Sequence, residues 1–175
     1  MATALVPDRP AAAGTIDALL LHHEVCQFLF SEARLQDEHR YDDWESLWTD
    51  DGVYWIPANG DDTVDPETQM SITYDNRSRI ALRIRQFHTG KRHAQAPVSR
   101  LRRVVSNVEI TAQGGDEIAV SANAILFESS LRGETIWGFA YRYLLRRTPD
   151  GLRMARKTVI LPNNDQALFT MAFLV

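Results

Sequence analysis

Between positions 101 and 161 the chain runs through four stretches of alternating apolar and polar side chains, at 101–110, 118–127, 135–147 and 152–161. They are separated by Gln113-Gly114-Gly115-Asp116, Arg132-Gly133-Glu134 and Thr148-Pro149-Asp150-Gly151, and the last closes at Pro162-Asn163-Asn164-Asp165. Gly, Pro, Asn and Asp mark such boundaries because they accept the backbone angles of a reversal. Alternation with period two means strands whose one face is buried. Val104, Val108 and Ile110 share a face, as do Ile118, Val120, Ala122, Ala124 and Leu126. In the third run Trp137, Phe139, Tyr141, Tyr143 and Leu145 line one side, and Arg142 and Arg146 the other. The expected arrangement is an antiparallel meander.

Upstream, helical spacing replaces alternation. Residues 15–37 read as a helix that Thr15 can cap, with Ile16, Leu19, Leu20, His23, Cys26 and Phe30 as its apolar stripe and Leu21, Val25, Phe28 and Leu29 widening it. A short helix is expected over 42–48. A turn at Thr49-Asp50-Asp51-Gly52 then leads into a strand over 53–56 that Pro57 ends, and a polar surface loop covers 59–69. Asp75 caps a third helix over 76–87, whose buried stripe is Ile80, Ile84 and Phe87. Helices first and long antiparallel strands after them make an α+β fold, with about three helices packed on a curved sheet. The 175 residues suit one domain over 15–175, behind an Ala/Pro-rich lead over 1–14 that is expected to be disordered.

Composition removes several functions. A net charge of −4 argues against nucleic-acid binding, and no apolar run reaches the roughly 20 residues of a membrane span. The single cysteine, Cys26, excludes a disulfide within the chain and suits a cytoplasmic protein. It also cannot hold an iron–sulfur cluster. His22 and His23 diverge by roughly 100° on a helix and cannot share a metal. His88 and His93 have a tempting spacing for iron, but the segment between them is cationic and offers no carboxylate. An acid–base set drawn from His39, Tyr41, Asp43, Tyr54 and His88 would suit a cofactor-free enzyme, although each residue also has an ordinary packing or surface role. GxSxG, P-loop and GxGxxG motifs are absent from the sequence.

Charge is segregated along the chain. Positions 37–75 hold twelve acidic residues and one basic one, Arg40, whereas 76–108 hold nine basic residues and no acidic ones. The two segments either face each other or form opposed patches that orient subunits.

Six stretches together carry a family resemblance. Glu32-Ala33-Arg34-Leu35-Gln36-Asp37, Tyr41-Asp42-Asp43-Trp44 and Asp50-Asp51-Gly52-Val53-Tyr54-Trp55-Ile56-Pro57 are followed by Pro97-Val98-Ser99-Arg100-Leu101-Arg102, Val105-Ser106-Asn107-Val108 and Arg142-Tyr143-Leu144-Leu145-Arg146-Arg147. In this order they resemble the small (β) subunit of Rieske-type aromatic-ring-hydroxylating dioxygenases. The resemblance implies a cystatin-like cone, shared with nuclear transport factor 2. It also implies assembly with a large (α) subunit and other β chains, usually as α3β3. The Rieske 2Fe–2S cluster and the mononuclear Fe(II) would then sit on the α subunit, and the aromatic substrate, reductase and ferredoxin would act through it. This chain would bring no catalytic, cofactor-binding or metal-binding residue. Its candidate interface residues are Arg79, Arg83, Arg100, Arg102, Arg103 and Trp55. The alternatives are a stand-alone dehydratase or isomerase of the same fold, or a small protein binding an apolar ligand in the cone.

Overall fold

The computed structural model describes residues 16–58, 62–91, 96–164 and 168–175. Its single sheet contains β1 (Trp48–Pro57), β2 (Ser71–Asn76), β3 (Arg100–Gly114), β4 (Glu117–Ser130), β5 (Gly133–Thr148) and β6 (Gly151–Ile160), in the spatial order β2-β1-β6-β5-β4-β3. Helices α1 (Ile16–Asp37), α2 (Tyr41–Ser46) and α3 (Arg77–His88) cover its inner face. The four-strand meander stands where alternation placed it. The sheet is nevertheless mixed, because β1 lies parallel to β6. No helix among the described residues is long and apolar enough to cross a membrane.

Upstream of the meander the elements depart from expectation. The second helix stops at Ser46, and Trp48 already belongs to β1. The expected turn at residues 49–52 is an irregularity within β1, where the register against β6 shifts between Trp48 and Val53. Strand β2 was not expected at all. The cap of α3 is Asn76, whose side chain accepts the Arg79 amide at 3.1 Å. Asp75 instead receives Arg83 at 2.6 Å. Thr15, the expected cap of α1, and the lead over 1–14 lie outside the described residues.

The first helix turns inward the residues expected to widen its apolar face, Val25 and Leu29, and leaves most of the expected central stripe outside. Val25, Leu29, Glu32, Ala33 and Gln36 are buried, whereas Ile16, Leu19, Leu20 and Phe30 are exposed. Periodicity alone could not choose between them, because α1 is apolar on several sides and its neighbours decide. Its inner stripe packs on β3, where His22 Nε2 meets the Val108 carbonyl at 3.0 Å.

Two bulges set which strand residues face the interior, because an extra residue reverses the side-chain parity beyond it. In β3, Ser106 pairs with Asn123 but Glu109 with Ser121, and Asn107 takes a left-handed conformation at φ 51°. Val104 therefore faces out, while Val108 and Ile110 pack against the core, so the three do not share a face. In β6, Met154 pairs with Leu145 and Arg156 with Leu144, leaving Ala155 as the extra residue. Lys157 faces inward as a result.

Gly52 sits at the β1 irregularity, where an added Cβ would lie 2.8 Å from the Trp48 ring and 3.0 Å from the Thr49 carbonyl. Gly52→Ala is expected to lower stability by about 1–3 kcal/mol through overpacking, measured by urea unfolding. An unchanged midpoint would show that the bulge yields freely.

Candidate functional site

In a cone of helices on a curved sheet, the space between the layers is where a ligand chamber would lie. Here side chains fill it. Trp44 meets Trp48 and Tyr54 edge-on at ring distances of 5.3 and 5.8 Å, and Tyr141 lies between a stacked Phe139 and an edge-on Tyr143. Residues 173–175 close it further. Phe173 packs on Trp137, and the Tyr54 hydroxyl donates to the Val175 carbonyl at 2.8 Å while accepting its amide at 3.2 Å. Aromatic pairs in such offset or edge geometries stabilise beyond the area they bury.

A charged pair is sealed in this interior. Lys157 Nζ donates to Glu32 Oε1 at 2.8 Å, and both residues are at most 1 % exposed. The same carboxylate accepts the Trp44 indole N–H at 2.7 Å and, more weakly, the Tyr143 hydroxyl at 3.4 Å. The ammonium also lies over the Tyr141 and Tyr143 rings, 4.5 and 5.5 Å from their centroids. Burial outweighs the attraction of Glu32 and lowers the Lys157 ammonium from 10.5 to about 8. Burial likewise pushes the hydroxyls of Tyr54, Tyr141 and Tyr143 well above the ordinary tyrosine range. A carboxylate and an ammonium could do acid–base chemistry if a substrate reached them, but here they hold α1, α2, β5 and β6 together. Sequence reading missed them because Lys157 is turned inward by the Ala155 bulge, whose signal is the change of apolar parity from Leu152 and Met154 to Val159 and Leu161.

A second buried cation lies nearby. Arg103, its side chain 0 % exposed, donates from Nε to Asp37 Oδ1 at 2.8 Å, from one terminal nitrogen to the Gln36 side-chain oxygen, and from the other to the Leu174 carbonyl at 3.0 Å. Its backbone amide reaches Asp37 Oδ2 at 2.9 Å. It thus ties the end of α1 to β3 and to the segment near Leu174. A neighbouring buried carboxylate, Glu128, accepts from Ser99 at 2.8 Å and from the Trp137 indole at 3.0 Å.

The six interface candidates divide between interior and surface. Arg103 and Trp55 are enclosed within this chain, Trp55 donating to Ser71 at 2.9 Å beneath the Arg156 guanidinium. Arg83 is engaged by Asp75. Arg79 donates to the Tyr74 carbonyl at 3.0 Å and is exposed. Arg100 and Arg102 are exposed at the rim of an open groove lined by His39, Val98, Ser99 and Phe127.

The acid–base candidates do not converge. Tyr54 is inside, whereas Asp43 pairs with Arg40 at 2.8 Å and His88 with Asp42 at 2.8 Å on the outside. His39 and Tyr41 do meet, at 2.8 Å. His39 Nε2 faces the Ser99 carbonyl at 3.0 Å and donates to it, so in the neutral ring Nδ1 accepts from the Tyr41 hydroxyl. His93 lies outside the described residues. Among those described, no three His, Cys, Asp or Glu side chains gather as metal donors.

Part of the charge segregation is used within the chain. Glu45 pairs with Arg77 at 2.7 Å, joining the Asp37–Arg103, Asp42–His88 and Asp75–Arg83 pairs already described. These are contacts between the acidic and basic segments, as the first of the two sequence readings expected.

Comparison with known proteins decides the family. The model of the ring-hydroxylating β subunit matches residues 31–166. The chain belongs to that family. It is 33% identical over 153 residues to the anthranilate 1,2-dioxygenase small subunit of Acinetobacter baylyi, covering 84% of this chain and 93% of the relative. It is 28% identical to the benzoate 1,2-dioxygenase subunit β of the same species, covering 81% and 86%. Its fold matches the crystal structure of the benzoate 1,2-dioxygenase β subunit from Burkholderia mallei with a TM-score of 0.67 at 22% identity, over 87% of this chain and 94% of that one. The expected cone fold is therefore that of a ring-hydroxylating β subunit, and the filled interior belongs to one.

Proposed function

We propose that this chain works by shape. As the non-catalytic β subunit of an aromatic-ring-hydroxylating dioxygenase, it holds an iron-bearing large subunit in an α3β3 assembly that adds dioxygen to an aromatic ring to give a cis-dihydrodiol. The observation that carries this reading is the filled interior. Where a dehydratase or isomerase of the same fold would keep a chamber, Trp44, Trp48, Tyr54, Tyr141 and residues 173–175 are packed around the Glu32–Lys157 pair. Neither alternative, the stand-alone enzyme nor the apolar-ligand carrier, gains support from such packing. The Rieske cluster and Fe(II) then reside on the large subunit, which also receives the electrons of a reductase and ferredoxin. The relatives named above belong to oxygenases of benzoate and anthranilate, which supports an aromatic carboxylic acid as the substrate class of the whole complex. We place the complex in the cytoplasm, in keeping with a lone cysteine.

The test is co-expression with a large (α) oxygenase subunit of a ring-hydroxylating dioxygenase. Native mass spectrometry is expected to give equal numbers of both chains, with all iron bound to the large one. A chain that elutes alone, or that turns over substrate unaided, would overturn the reading.

A further inference from the structure

The outer face of the sheet is covered over only part of its width. Toward β1 and β6 the chain folds back on itself: Asp62 reaches Arg142 on β5 at 3.9 Å, and Pro162 lies against Gly138. Across β3, β4 and the start of β5 none of the described residues covers it. Val104 pairs directly with Ile125, and Phe127 with Ile136, and these four are 68%, 60%, 40% and 74% exposed. Contiguous apolar exposure of this kind marks an interaction surface. Arg102 stands across from Phe127 and Arg100 lies two residues earlier, neither paired with a carboxylate among the described residues. A patch that is apolar with a basic rim calls for an occupant that is apolar and acidic.

The same chain carries such an element elsewhere. Asp65 and Glu67 are exposed on a turn in which Asp65 Oδ1 accepts the Glu67 amide at 3.0 Å and the Asp65 carbonyl accepts the Gln69 amide at 3.0 Å. Met70 and Ile72, beside them, are 79% and 42% exposed. The turn is thus held in place before any partner arrives, with two carboxylates next to two apolar side chains.

We propose that this acidic turn of one copy docks head to tail on the bare, basic-rimmed sheet face of a second copy, and that this contact builds the β ring. The proposal rests on the β-subunit reading above. Two different surfaces meeting in this way are heterologous, and such contacts close into a ring when the rotation allows. Opposite charges at the rim set the orientation of the approaching copies and reject the reverse one.

Sedimentation velocity of the purified full-length chain tests this. The wild type is expected to sediment as an oligomer, and Arg100→Glu with Arg102→Glu to weaken association at least tenfold while circular dichroism and melting stay unchanged. Adding Asp65→Arg with Glu67→Arg to that variant is expected to restore the oligomer, because both surfaces are then reversed together. Ile136→Glu, which leaves every cation in place, is expected to weaken association as well. Failure of the charge swap to restore assembly, or a wild type that is monomeric throughout the micromolar range, would overturn the proposal. If the arginine pair instead abolishes capture of the large subunit while self-association persists, the occupant is that subunit and the proposal falls. Co-purification of the wild type with the large subunit reads the β-subunit assignment separately.

Discussion

Replacing Lys157 with methionine is expected to lower the unfolding free energy by about 3–5 kcal/mol, the range for breaking a buried ion pair from one side. The cost arises from what remains: the Glu32 carboxylate, 1 % exposed, keeps only the Trp44 indole at 2.7 Å and a long contact to Tyr143. Glu32→Gln in the same chain is expected to recover part of that loss, because glutamine still accepts from Trp44 and brings no charge. Urea unfolding of the two variants and the wild type checks the order. A double variant less stable than Lys157→Met would mean that the carboxylate matters for its charge and not for its lone pairs.

The same group sets an alkaline signature. Folded Lys157 releases its proton near pH 8, whereas in the unfolded chain it holds it to 10.5. Between these values the unfolded state binds more protons, so this group makes stability rise with pH. The buried tyrosines act in the opposite direction. Tyr54, Tyr141 and Tyr143 resist ionisation when folded but ionise near 10.0 when unfolded, so stability falls as pH rises beyond that value. Chemical denaturation is therefore expected to show a gain from pH 8 to 10 and a loss above it. Lys157→Met should remove the gain and keep the loss. A gain that persists in the variant would assign it to another group.

How far the sequence discloses this molecule depends on whether local pattern or neighbours decide. The meander from β3 to β6 was legible because each turn is local and each strand repeats its alternation several times. Strand β2 was not, because Ser71-Ile72-Thr73-Tyr74-Asp75-Asn76 is short and polar and is a strand only by pairing with β1. The inner stripe of α1 was not, because a helix with Leu19, Leu20 and Phe30 on one side and Val25 and Leu29 on another offers two apolar faces, and only packing on β3 selects one. The bulges at Asn107 and Ala155 each add one residue and shift the apolar parity, from Leu101 and Val105 to Val108 and Ile110 and from Leu152 and Met154 to Val159 and Leu161, and they decide that Val104 faces out and Lys157 in. The family motifs could be read directly, since order and spacing survive such local shifts. The interface arginines lie between these cases. Arg100 and Arg102 follow the alternation to the outer face, and Arg103 follows it inward, so parity alone could have separated them.

That separation can be tested by a single substitution. Arg103→Met is expected to cost about 3–5 kcal/mol, whereas reversing Arg100 and Arg102 leaves the fold intact. With the guanidinium gone, the Asp37 carboxylate, its side chain 7 % exposed, loses its partner at 2.8 Å, and the Leu174 carbonyl loses its donor at 3.0 Å. For a chain of this size each kcal/mol corresponds to roughly 2–4 °C, so the melting temperature should fall by about 6–20 °C. The segment near Leu174 should loosen first, since Arg103 joins it to α1 and β3, and Tyr54 and Phe173 would then hold it alone. Amide exchange is expected to accelerate at 173–175 and at the end of α1 before the meander is affected. Arg103→Lys should recover little, because one ammonium cannot span Asp37, Gln36 and Leu174 as the guanidinium fork does. If Arg103→Met melted with the wild type but failed to assemble, Arg103 would be a docking residue after all.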